Sequence, residues 1–243
     1  MTPQVVNSFI DGFAACKPNG SPGVVLAFGA TNEATNYAKG QRFAALVNAA
    51  TAYVNSKHPG QQIYIAAAYD AEIGYGSPAL ARGWVAGYIS RTKYAWYDVG
   101  DARGCSTTTG TCDNGWTLAD KWYTAGGANY RQGFALPEIY NTTPELFSNE
   151  WVAAANYGHA KGRHRFFFGG ALSQYFACHP HDSVIRAPYG CPAPYNTDQT
   201  PSAAWKDLYS AISPFQTNLP FSTDIASSLC EPPRHARSTR AYQ

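Results

Sequence analysis

The sequence predicts an α/β chain of the (β/α)8 TIM-type barrel class, incomplete at its N-terminus, with about six βα units visible. Three observations carry this. Apolar runs rich in Val, Ile, Tyr and Phe alternate with segments of helical period. Single helices separate successive strands, which calls for parallel pairing. One run, "IYIAAAYDAEIGYGSP", places Tyr64, Ala66, Ala68, Asp70 and Glu72 on one strand face and Ile63, Ile65, Ala67 and Tyr69 on the other. A barrel strand needs an apolar outer face under helices and an inner face that turns polar at the mouth, whereas an open sheet covered on both sides is more uniformly apolar.

In chain order, Val5, Phe9 and Phe13 mark a helix ahead of the first strand, near Val24–Thr31. The helix Gln41–Ser56 repeats Phe43, Leu46, Val47, Ala50 and Val54 at spacings of three and four. The next strands are expected near Gln62–Glu72, Tyr94–Asp101, Gly133–Tyr140 and Arg165–Leu172, with a last one at Leu219–Asp224. Three helices open with a hydroxyl residue followed by proline: Ser77-Pro78, Thr143-Pro144 and Thr200-Pro201. The hydroxyl caps free N–H groups, and proline has no N–H to leave unpaired. A further helix starts at Thr117, with Asp120 in the capping-box position. If the last strand is the eighth, two strands and a helix are missing before Val24. Residues 1–230 form one domain, and the basic, Pro-rich tail 231–243 reads as a disordered end.

The formal charge of +2 and a charged fraction of 14% leave no field suited to nucleic acid, and no run reaches the ~20 apolar residues of a membrane helix. Six cysteines, with few lysines, point to an exported, extracellular protein, although "MTPQVVNSFIDGF" has no signal-peptide pattern. Cys105 with Cys112, Cys178 with Cys191 and Cys16 with Cys230 are the pairings suggested by proximity and remainder. Free thiols stay open as the alternative, because spacing does not fix connectivity.

Acids are scarce, 16 in the whole chain, yet they gather where strands end. Asp70 and Glu72 close one strand, Asp98 and Asp101 the next, and Glu138 the one after. Crowded carboxylates raise one another's pKa, so one stays protonated while another is ionised, which is what glycoside hydrolysis requires. The expected catalytic groups are Glu72 as general acid/base, with Asp70 or Glu138 as nucleophile or stabiliser. Asp98 and Asp101 are expected to bind or tune. Tyr75, Trp96, Trp116 and Tyr140 offer flat faces for sugar rings, and Gln174, at the end of "FFFGGALSQ", completes the substrate-binding set.

The Asp-x-Glu ending of "YDAE" resembles the fourth strand of glycoside-hydrolase-like barrels, in particular the lysozyme-like muramidases and the actinobacterial secreted glycoside-hydrolase-like proteins. That resemblance implies Glu72 as proton donor, Asp70 as its partner and Glu138 as the acid of the sixth strand. The pattern lacks the longer Asp-rich run of chitinase-like enzymes, which argues against substrate-assisted catalysis. "CHPHDS" reads as a loop with solvated histidines, so no metal and no cofactor are expected. The resulting expectation is a monomeric, secreted hydrolase of a polysaccharide or oligosaccharide, with no nucleic-acid or membrane partner. The alternative is a non-catalytic glycan-binding or structural barrel.

Overall fold

A computed structural model describes residues 2–17, 22–30, 35–140, 144–179 and 199–224. Helix α1 (Pro3–Cys16) starts at a Thr2 cap, with proline in its first turn. It buries Val6, Ile10 and Ala14, while Val5 and Phe9 are exposed. The apolar stripe is thus rotated by one residue from the expected Val5–Phe9–Phe13 face. Both stripes have the helical period, and only the packing partner chooses between them.

Strand β1 (Val24–Ala30) is followed by α2 (Tyr37–Lys57), which begins four residues before the predicted start because Asn36 caps it through Lys39 N–H at 3.0 Å. Next come β2 (Ile63–Tyr69), α3 (Pro78–Ile89) and β3 (Trp96–Asp98). Helix α4 (Leu118–Trp122) opens on the expected Thr117–Asp120 capping box and runs into a π-type turn. Then follow β4 (Gly133–Ala135), α5 (Pro144–Ala160), β5 (Phe167–Phe168), β6 (Gly170–Ser173), α6 (Tyr175–Cys178), α7 (Pro201–Ile212) and β7 (Phe221–Asp224). Thr200 caps α7 as expected, Ser77 makes no side-chain cap bond to α3, and Thr143 lies outside the described residues.

Strands β1 to β5 form one parallel sheet in strict chain order, and β6 pairs in parallel with β7. The strand expected over Arg165–Leu172 is divided into β5 and β6 at Gly169, whose N–H still donates to the Ala135 carbonyl of the β4–β5 ladder at 2.7 Å. Beyond the break, Leu172 N–H donates to Pro137 O and Ile139 N–H to Leu172 O, both at 2.8 Å, so the chain after β4 bridges to β6.

Register fixes the faces. Gly29, Ala68, Tyr97, Phe134 and Phe167 form one row; Tyr69, Asp98, Ala135 and Phe168 form a neighbouring row on the opposite face. The second face lies under the helices, where Tyr69, Trp84 and Tyr88 stack at 4.4 and 5.3 Å. Helices α2 and α3 meet backbone to backbone. A Cβ on Gly40 would stand 2.0 Å from Trp84 O, and one on Gly87 2.0 Å from Tyr37 O, so only glycine permits this approach. The first face is more open: Val25, Tyr64 and Phe167 are exposed.

Cys105 and Cys112 are disulfide-bonded, closing the predicted Thr/Gly-rich loop. Cys178 is also disulfide-bonded, and its expected partner Cys191 lies outside the described residues. Cys16 is a correction: expected to pair with Cys230, it is a free, exposed thiol at the end of α1. Cys230, His181, Asp182 and the tail also lie outside the described residues. No helix among the described residues is long and apolar enough to cross a membrane.

Candidate active site

Strand β2 stops at Tyr69, short of the predicted Glu72, yet Asp70 keeps the strand's hydrogen bonding through its N–H to Ala30 O at 3.2 Å. Asp70 continues the face of Ala66 and Ala68, and Glu138 continues that of Phe134 and Leu136. Both therefore stand on the open face of the sheet, at the C-terminal ends of the strands. The turn after β2 brings Glu72 to them, and Asp70, Glu72 and Glu138 each offer a carboxylate oxygen within 4.8 Å of the other two.

Burial pushes the Asp70 carboxyl up to about 7, helped by the negative charges of Glu72 and Asp98. Burial pushes Glu138 up to about 8, against the lowering effect of its hydrogen bond with Tyr140. The Tyr140 hydroxyl is itself raised, by burial first and by the Glu138 charge next. One oxygen of Asp70, Oδ1, is buried with no hydrogen-bond partner among the described residues. The raised values let Asp70 and Glu138 hold protons near pH 7. The three oxygens also lie within the span of one hard cation's ligand set, and the positive charge of a cation there would favour the ionised carboxylates.

The surrounding loops are pinned to this cluster. Asp101 Oδ1 accepts Ile73 N–H at 2.8 Å, which fixes the turn just past Glu72. Asn114 Nδ2 donates to Ile73 O at 3.1 Å and Trp116 Nε1 to Gly76 O at 2.8 Å, so the disulfide-closed loop is tied to the same turn. Gly100 packs on Ala71 so closely that a Cβ would lie 2.6 Å from its carbonyl carbon.

The predicted binding residues separate into groups. Tyr140 touches the cluster through Glu138, and Asp101 frames it. Tyr75, on the loop after Glu72, is 75% exposed. Gln174 is half-buried at the start of α6. Trp116 is buried and serves as a loop pin. Trp96 and Asp98 share the helix-covered face and are fully buried. Asp98 Oδ2 accepts from Lys121 Nζ at 2.9 Å and Thr124 Oγ1 at 3.1 Å, while its Oδ1 accepts Gly100 N–H at 3.2 Å. Lys121, also fully buried, donates to Ala71 O at 3.1 Å and sits 4.2 Å over the Trp151 ring.

Sequence reasoning missed two groups. Lys121, in the helix that opens at Thr117, was given no role. Glu150 of α5 accepts Gly104 N–H at 2.7 Å and is pushed up to about 7, chiefly by burial. Its signal was an acid four residues before the buried Ala154, on the apolar stripe of the helix.

A stability prediction follows from these raised values. Each carboxyl binds its proton more tightly when folded, so its contribution is full below the ordinary value near 4 and is lost as pH rises to about 7 for Asp70 and about 8 for Glu138. Thermal unfolding of Asp70→Asn and Glu138→Gln is expected to match wild type at pH 4 and to exceed it at pH 8. A wild type as stable at pH 8 as the two variants would contradict the raised values.

No protein-family model, curated protein or solved structure matches the chain.

Proposed function

We propose that the chain is a glycoside hydrolase that cleaves a polysaccharide or oligosaccharide outside the cell by carboxylate acid/base chemistry. The observation that carries this reading is the triad of carboxylates within 4.8 Å, two of which hold protons near neutrality. The site lies where a parallel α/β sheet places ligands, outside the carboxyl ends of its strands. Strict chain order of the parallel strands and the bridge from Glu138 to Leu172 favour a (β/α)8-type barrel path over a doubly wound sheet.

Glu138, raised further than its neighbour Asp70, is the proton donor to the leaving oxygen, a role the sequence assigned to Glu72. Glu72 attacks the anomeric carbon, and Asp70 stabilises the positive charge that develops there. Carboxyl groups about 5 to 5.5 Å apart fit direct attack and retention, while the ~6.5 to 9.5 Å of inverting enzymes leaves room for a water. The observed span of at most 4.8 Å between oxygens favours retention. Water then cleaves the glycosyl ester, giving its proton to Glu138. Tyr75 and Tyr140 supply ring faces for neighbouring sugars.

The test is release of reducing ends from a panel of soluble and insoluble glycans by wild type and Glu138→Gln. Cleavage by wild type alone supports the reading. Binding without cleavage by either protein would transfer the site to the non-catalytic glycan-binding alternative.

A further inference from the structure

A pocket lies at the opposite end of the sheet from the acids, where β5 begins. It encloses about 290 Å³ and is lined by Tyr130, His159, Arg163, His164, Arg165 and Gln216, with Phe166, Phe167 and Phe215 as its apolar wall. Residues 161–165 carry Lys161, Arg163 and Arg165, three formal positive charges against a net +2 for the whole chain. Among the described residues, ion pairs involve only His58, Arg82, Arg103 and Lys121 as cations, so none of these bases meets a carboxylate.

Basic residues after a helix often serve its last carbonyls. Here the backbone does that work: Tyr157 O accepts Lys161 N–H at 3.2 Å, and Gly158 O accepts Arg163 N–H at 2.8 Å. The side chains are instead laid against rings. Arg163 covers Trp122 at 5.1 Å, Arg165 covers Phe215 at 4.7 Å and His164 stacks on Tyr130 at 4.1 Å. Arg165 Nε is fixed by Asn156 Oδ1 at 3.0 Å. Gln216 pairs with both backbone groups of Phe168, at 2.9 and 2.8 Å, which makes that wall rigid. Guanidinium groups set over aromatic rings still have terminal N–H donors to offer an oxyanion.

We infer that this pocket binds an organic oxyanion, namely a phosphate or sulfate ester carried on a sugar-sized body that rests against the exposed ring of Phe167. It is independent of the acid cluster and of the hydrolase reading. A single oxyanion leaves much of the cavity unfilled, and the ring-lined wall suits the body of the ester.

The experiment is a calorimetric titration of the intact chain with glucose 6-phosphate, inorganic phosphate and neutral glucose at low and moderate salt. Saturable binding of the sugar phosphate is expected, weaker in added salt, with glucose silent. Arg163→Gln, an exposed position, should weaken it by about tenfold, as expected for loss of one charge-assisted contact, with thermal unfolding unchanged. Inorganic phosphate binding as tightly as the ester would keep the oxyanion pocket but overturn the sugar-sized ligand. Absence of saturable binding by either phosphate, or equal affinity in Arg163→Gln, would overturn the proposal.

Discussion

Replacing Lys121 with methionine is expected to lower the unfolding free energy by about 3 to 5 kcal/mol, the usual range for stripping one partner from a buried ion pair. Lys121 and Asp98 are both fully buried and 2.9 Å apart. Without the ammonium, Asp98 keeps Thr124 and Gly100 as donors but has no opposite charge, and Ala71 O loses its partner. The double variant Lys121→Met/Asp98→Asn removes the stranded charge and should recover part of the loss. Urea denaturation at pH 7 reads both. A loss below about 1 kcal/mol in the single variant would show that the pair is as weak as a surface bridge. Ala71 lies between Asp70 and Glu72, so the same lysine holds the backbone that presents the two acids.

The second large effect belongs to Glu138. If it donates the proton, Glu138→Gln should reduce kcat by about 10²- to 10⁴-fold on a substrate with a poor leaving group. A substrate whose leaving group needs no protonation should be cleaved with far less loss. The wild-type rate should fall as pH rises past about 8, where Glu138 loses its proton. A variant with the same rate and pH profile as wild type would remove Glu138 from the chemistry.

Much of this was legible in the chain. Alternation in 63–72 named both faces of β2, and the hydroxyl–proline and Thr117–Asp120 signals placed the helix starts, because they rest on local backbone chemistry. The meeting of Asp70 with Glu138 was also readable, since parity along a strand decides which face an acid shares, whereas Glu72 arrives by the turn after β2. The same parity, applied to β3, ties Asp98 to Trp96 and sends both under the helices. Proximity to a strand end had suggested the mouth instead. Glu150 and Lys121 were hidden for a different reason: each is brought to its partner from a helix distant in sequence, Gly104 for one and Asp98 for the other. The division at Gly169 was equally hidden, because β6 leaves the sheet of β1 to β5 to pair with β7, a strand distant in sequence.

The most direct measurement is a ¹³C NMR titration of the side-chain carboxyls from pH 3 to 10, with Asp70→Asn and Glu138→Gln supplying the assignments. An acid/base site at the ends of β2 and β4 predicts one carboxyl titrating near 8, lost in Glu138→Gln, and two near 7, of which one is lost in Asp70→Asn while the other, Glu150, remains. Asp70 and Glu138 both titrating in the ordinary range of about 4 would contradict it.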